Sequence, residues 1–142
     1  MKPINWRRVI LGGLVAGVVM NISEAALHGG VLAQDGMDLL KSLNVSYTPV
    51  ASDLLAVILM TFVLGIAGVW LYAAILPRYG QGSKTAIVAG LAVWVLAHLW
   101  SGIYIGAGLT GLIGPRMAYL PVAWGLIEAP LTVLVGALIY KE

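Results

Sequence analysis

Five polar residues interrupt otherwise apolar stretches of the sequence: Asn21, Glu24, His28, His98 and Glu128. They include both histidines of the chain and both glutamates that precede the C-terminal residue. A carboxylate or imidazole inside a membrane span is costly, so such groups usually face the interior of a helix bundle and are paired. These five side chains are therefore the candidate binding residues of the protein.

The first interpretation of this set is a buried hydrogen-bond network that fixes helix register, for example with Glu24 paired to His98 and Glu128 paired to Asn21. The second is a pocket that binds a proton or a cation, because a buried carboxyl group can exchange its proton for a cationic ligand. Trp94 and Trp124 lie four residues before His98 and Glu128, which makes them helix neighbours. Their ring faces would then hold the cation.

The third interpretation is a metal site. Glu24, His98 and Glu128, with His28 or Asn21, offer mixed nitrogen and oxygen ligands suited to zinc, iron or manganese. Glu24 and His28 are four residues apart, whereas helical di-iron motifs space these ligands by three. A haem between His28 and His98 is disfavoured by a height difference of about 9 Å along the helices. We expect no cofactor, with a divalent metal as the alternative.

Helical geometry predicts that most of these residues meet. At about 100° per residue, Asn21, Glu24 and His28 fall within about 60° of one another on one helix. Measured from the basic residues at the helix ends, Asn21, Glu24, His98 and Glu128 lie at depths of about 20–24 Å, and His28 at about 30 Å. Ser23 is excluded from this set because consecutive helix positions point about 100° apart.

Composition shows which elements must position these residues. Of the 142 residues, 61% are hydrophobic and 10% are charged, against about 25% charged in soluble domains. The chain has no cysteine, which excludes a disulfide scaffold and thiolate chemistry. Four segments reach the roughly 20 apolar residues that a membrane helix needs: 7–33, 53–76, 84–107 and 117–140. Because backbone groups in lipid must be bonded internally, we predict an all-α, four-helix membrane bundle, with residues 1–142 as one domain.

The distribution of basic residues predicts the orientation. Six lie on one predicted side, and only Lys41 and Arg116 lie on the other. Both termini are therefore expected in the cytoplasm, as in a bacterial inner-membrane protein. No basic cluster extends beyond Arg7 and Arg8, which argues against nucleic-acid binding. The six residues are Lys2, Arg7, Arg8, Arg78, Lys84 and Lys141.

Two connecting segments have their own patterns. Apolar residues at helical spacing in the 34–52 loop predict a short interfacial helix over Gly36 to Leu43. The stretch 102–114 contains five glycines and is poor helix material. We expect it to be the frayed end of the third span and an outer loop, with a re-entrant pore loop as the alternative.

These patterns favour a small, non-enzymatic integral membrane protein with an intramembrane Glu/His pocket. Its soluble surface is too small for a partner domain, so contacts with the lipid bilayer, further copies or other membrane subunits should use helix faces. The alternatives are a small proton-coupled transporter or channel subunit for a cation, and a metal-dependent membrane enzyme.

Overall fold

The computed structural model describes residues 3–48 and 50–140, and every regular element in these ranges is helical. Two of the helices run directly into π-helical segments, in which one extra residue widens the turn. In chain order the elements are α1 (Trp6–Ala26), a first π segment (Leu27–Val31), α2 (Ala33–Ser42), α3 (Ala51–Tyr79), α4 (Ser83–Trp94), a second π segment (Val95–Leu99) and α5 (Trp100–Ile139).

Three continuous stretches are long and apolar enough to cross a membrane: Trp6–Val31, Ala51–Tyr79 and Ser83–Ile139. The prediction of apolar membrane-spanning helices is therefore confirmed at this level. The third and fourth predicted spans, 84–107 and 117–140, both fall inside the 57-residue stretch. That stretch is interrupted at Gly114, where φ is 77° and ψ is 156°.

The chain folds back on itself at Gly114. A positive φ of this kind favours glycine, and the following Pro115 lacks the N–H that would continue the earlier helix. Residues on the two sides of the break pack together, with Gly102 against Val122 and Gly106 against Tyr119. The predicted loop over 102–114 is instead helical up to this turn, and close packing at Gly102 and Gly106 offsets the low helix propensity of glycine in its first half.

Contacts between distant residues define two ends of the molecule. At the terminal end, the Asn5 backbone N–H donates to Tyr140 Oη at 3.3 Å. At the turn end, Arg116 Nη1 lies 2.5 Å from Asp35 Oδ2, and Arg116 Nη2 donates to the Val31 carbonyl at 3.3 Å. The start of α1 therefore lies beside the end of α5, while the α1–α2 connection lies beside the turn at Gly114.

The helices pack most tightly toward the terminal end, where small residues let their backbones approach. Gly13 lies against the Ile66 backbone, and Gly90 lies against the Pro130 backbone. Large apolar side chains such as Leu54 and Ile127 remain exposed on the outside, as expected for a surface that faces lipid. The buried core comprises Val9, Ala16, Val69, Tyr72, Ala73, Leu76, Ala86, Ala89, Val93, Ala129, Val133, Ala137 and Tyr140.

The short helix predicted over Gly36 to Leu43 is present as α2, although it begins three residues earlier, at Ala33. Its position at the membrane surface stays a prediction. Tyr47 Oη donates to Asp53 Oδ2 at 3.0 Å, which ties the connection after α2 to the first turn of α3.

Candidate functional site

Three of the five candidate residues come together in the bundle. Glu24 of α1, His98 of the second π segment and Glu128 of α5 each offer one ligand atom, and these atoms all lie within 4.8 Å of one another. We call these three residues the Glu–His cluster. Residues separated by up to 104 positions meet here, so the cluster depends on helix packing rather than on local sequence.

The cluster is largely buried, yet several of its polar atoms are not satisfied. The Glu128 side chain is 1% exposed and that of His98 is 13% exposed, and His98 Nε2 lies 4.0 Å from Glu128 Oε2. His98 Nε2 and both carboxylate oxygens of Glu128 lack a hydrogen-bond partner among the residues that the structure describes. Buried polar groups are nearly always hydrogen-bonded, so a proton shared by Glu24 and Glu128, a water molecule or a bound ion would be needed to satisfy these three atoms.

His28 lies beside the cluster without joining it. Its Nε2 is 3.1 Å from Glu24 Oε2, and its side chain is 58% exposed. His28 was expected as a possible metal ligand, but the group of three ligand atoms does not include it. Its geometry fits a different role, since an N–H donated to one Glu24 oxygen fixes the direction of that carboxylate.

The predicted pairing between members of the set differs from the structure. Glu24 pairs with His28 rather than with His98. Asn21 Nδ2 donates to the carbonyl of Gly17 at 2.9 Å, rather than to Glu128. A short amide side chain readily reaches the carbonyl four residues earlier on its own helix, and this local bond occupies the Asn21 amide nitrogen.

Both histidines occur in π-helical segments: His28 in Leu27–Val31 and His98 in Val95–Leu99. A π-helical turn is rare and is frequently found at a functional site. The inserted residue changes which face the following side chains occupy, and an α-helical wheel cannot predict that change. The second segment places His98 directly over Gly125, where a Cβ would lie 2.5 Å from His98 Cγ.

The two tryptophans predicted beside the pocket bridge helices. Trp94 Nε1 donates to the Val122 carbonyl at 2.8 Å, and Trp124 Nε1 donates to Ser23 Oγ at 2.9 Å. Cation binding by their ring faces stays a prediction.

Ser23 lies off the face of Asn21, Glu24 and His28, as expected, but it still borders the site because its side of α1 packs against α5. A small hydroxyl residue next to Glu24 was the only sequence signal for this contact.

A cavity of about 900 Å³ opens between α1 and α3. Its polar lining residues are Asn21 and Glu24 of α1 and His28 of the first π segment, and most of the remainder is apolar. Glu24 belongs to both this lining and the Glu–His cluster, so it connects the cavity to the buried pair His98 and Glu128. The lining comprises Val18, Asn21, Ile22, Glu24, Ala25, His28, Gly29, Leu54, Val57, Ile58 and Phe62.

Comparison of the chain with protein-family models, curated protein sequences and solved structures finds no match. Function must therefore be inferred from the geometry of the Glu–His cluster and the cavity beside it.

Proposed function

We propose that the chain is an integral membrane protein with four membrane-spanning helices and both termini in the cytoplasm. We further propose that Glu24, His98 and Glu128 bind a cation within the bilayer. We also propose that the protein associates with further copies of itself or with other membrane subunits through its helix faces.

The length of the last helical stretch and two long-range contacts support four crossings. The 57-residue stretch Ser83–Ile139 would be about 85 Å long as a straight helix, far more than a hydrocarbon core of about 30 Å. The break at Gly114 divides it into two spans of suitable length. The pairs Asn5–Tyr140 and Asp35–Arg116 fit a chain that returns to its starting side after an even number of crossings.

The distribution of basic residues supports the orientation. Arg7, Arg8, Arg78 and Lys84 all lie near the terminal end of the bundle, at the start of α1, the end of α3 and the start of α4. Lys2 and Lys141, which the sequence also assigns to this side, lie outside the described residues. An excess of basic residues marks the cytoplasmic side.

Single cysteines in this cysteine-free chain test the topology directly. Ser46→Cys and Gly111→Cys lie toward the turn end, and Gln81→Cys lies at the terminal end. We expect a membrane-impermeant maleimide to label the first two in right-side-out vesicles, and to label Gln81→Cys only after permeabilisation. The unsubstituted chain measures background. If only one of Ser46→Cys and Gly111→Cys is labelled in intact vesicles, four spans are ruled out. If Gln81→Cys is labelled in intact vesicles and the other two only after permeabilisation, the orientation is the reverse of the one proposed.

The observation that carries the cation site is the absence of hydrogen bonds to His98 Nε2 and both Glu128 oxygens among the described residues. A network that only fixed helix register would join these groups to one another, because an unsatisfied buried polar group destabilises the fold. Here His98 Nε2 and Glu128 Oε2 lie 4.0 Å apart, which is within the range of an ion pair but beyond hydrogen-bond distance. A cation bound between Glu24, His98 and Glu128 would satisfy both carboxylates and the imidazole.

Cation-dependent melting tests the site. For purified protein in lipid nanodiscs, we expect at least one cation from a panel of Na⁺, K⁺, Mg²⁺, Mn²⁺ and Zn²⁺ to raise the Tm. A ligand at about 100 times its Kd stabilises the native state by about 2.7 kcal/mol. Glu128→Gln keeps the side-chain shape but removes the charge, so the shift should disappear.

Asp38→Asn provides the matched control. Asp38 is an exposed carboxylate of α2 beside Lys41, so its variant should keep the full cation-dependent shift. If no cation in the panel changes the Tm, or if Glu128→Gln keeps the shift, the cation site is wrong. A large loss of stability in cation-free Glu128→Gln would instead support a register network.

A further inference from the structure

The geometry points to one divalent transition-metal ion as the occupant of the Glu–His cluster. We infer that Glu24, His98 and Glu128 each supply one ligand atom to an ion of the zinc, iron and manganese class. This inference rests on the proposed cation site and specifies its chemistry.

Charge favours a divalent ion. The cluster holds two carboxyl groups and one imidazole in a bundle with an apolar exterior. With His28 neutral, a dication with two ionised carboxylates is neutral overall, whereas a monovalent cation would leave one negative charge uncompensated. Uncompensated charge is expensive at this depth, so one divalent ion matches the charge of Glu24 and Glu128.

The ligand types favour a transition metal over magnesium or calcium. Magnesium and calcium take mainly oxygen ligands, and magnesium usually retains several waters. The imidazole of His98 adds a nitrogen ligand, which suits zinc, iron or manganese when combined with carboxylates. Three protein ligands with a free coordination position are the usual arrangement of catalytic zinc sites.

The separations are compatible with this assignment after small side-chain movements. With metal–ligand bonds of about 2.1 Å, tetrahedral ligand atoms lie about 3.4 Å apart. His98 Nε2 and Glu128 Oε2 are already 4.0 Å apart, and all three ligand atoms lie within 4.8 Å. Metal binding therefore requires the ligand atoms to approach one another by at most about 1.4 Å.

Two features around the cluster complete the site. His28 Nε2 lies 3.1 Å from Glu24 Oε2, which makes His28 a positioning residue for that ligand. Glu24 also lines the cavity of about 900 Å³ between α1 and α3, so an ion could reach the cluster from this side. The imidazole of His98 is packed over Gly125 and does not line this cavity.

Titration with Co²⁺, a spectroscopic substitute for Zn²⁺, tests the inference. Protein in nanodiscs is first treated with a chelator and then titrated while visible absorption is recorded. We expect one Co²⁺ per chain, with d–d bands of a four- or five-coordinate site, and displacement by one equivalent of Zn²⁺. His98→Ala and Glu128→Gln should each weaken binding by at least about 100-fold, and His28→Ala by about 10-fold to 100-fold, as for other residues that orient a metal ligand.

Asp38→Asn and Asp53→Asn each remove an exposed carboxylate away from the cluster, so both should bind Co²⁺ as the parent protein does. Circular dichroism and size-exclusion chromatography confirm that each variant is folded, and Glu128→Gln remains informative if His98→Ala does not fold. Binding that is unchanged in folded His98→Ala or Glu128→Gln would overturn the assignment. Absence of Co²⁺ and Zn²⁺ binding, together with a Glu128-dependent melting shift by Na⁺ or K⁺, would overturn the metal but leave the cation site standing. If neither metal binding nor a Glu128-dependent melting shift is observed, both the metal assignment and the cation site are wrong.

Discussion

Replacement of Gly90 by valine is expected to destabilise the protein more than a change at any exposed glycine. A Cβ at this position would lie 2.8 Å from both the Ala129 carbonyl oxygen and the Pro130 nitrogen, and these are backbone atoms that cannot rotate away. The helices α4 and α5 would have to separate. Overpacking of this kind costs about 1–3 kcal/mol, occasionally more.

Gly111 provides the matched control, because no atom lies within 4 Å of a Cβ built there. Gly111→Val has the same cost in helix propensity without the clash. We would measure the free energy of unfolding by SDS titration in mixed micelles, and we expect Gly90→Val to lose at least about 1 kcal/mol more than Gly111→Val. Equal losses would show that the α4–α5 contact is looser than the structure places it.

The same contact connects stability to the site. Gly90 and Pro130 fix the spacing between α4 and α5, and this spacing also determines how closely His98 approaches Glu128. Even the smaller change Gly90→Ala should therefore weaken cation binding, although Gly90 does not belong to the Glu–His cluster.

Apolar runs were sufficient to predict the helices, since few backbone arrangements satisfy their polar groups in lipid. The depth estimate also worked for part of the site. It assigned Glu24, His98 and Glu128 to one layer, and the structure brings these three together. Long-range packing could be anticipated here because straight helices of known rise carry their residues to calculable heights.

The remaining details depend on interactions that sequence periodicity does not contain. Asn21 shares the predicted depth but bonds to Gly17, because a nearby carbonyl on its own helix competes with distant partners. The two π segments shift the faces of His28 and His98 in a way that an ideal helical wheel cannot represent. The pairing of Glu24 with His28 was visible as a four-residue spacing, although the estimated heights of the two residues differ by about 6 Å.

Glu128→Leu is expected to stabilise the metal-free protein. Leucine has nearly the same size as glutamate, and it removes two buried oxygens that have no hydrogen-bond partner within residues 3–48 and 50–140. Leaving a buried polar group unsatisfied costs about 1–3 kcal/mol, so the variant should gain a similar amount in its free energy of unfolding. Gains of this kind occur where a functional residue has been retained at the expense of stability.

The order of stability should change when metal is supplied. With Zn²⁺ at about 100 times its Kd, the parent protein gains about 2.7 kcal/mol, whereas Glu128→Leu lacks one ligand and gains little. Ile127→Ala, at a highly exposed position beside Glu128, controls for substitutions on the same turn and should respond to Zn²⁺ as the parent does. A register network predicts the reverse, since loss of Glu128 would then weaken the fold in the absence of metal. SDS titration of both proteins, with chelator and with Zn²⁺, therefore distinguishes a carboxylate kept to bind a cation from one kept to hold the helices together.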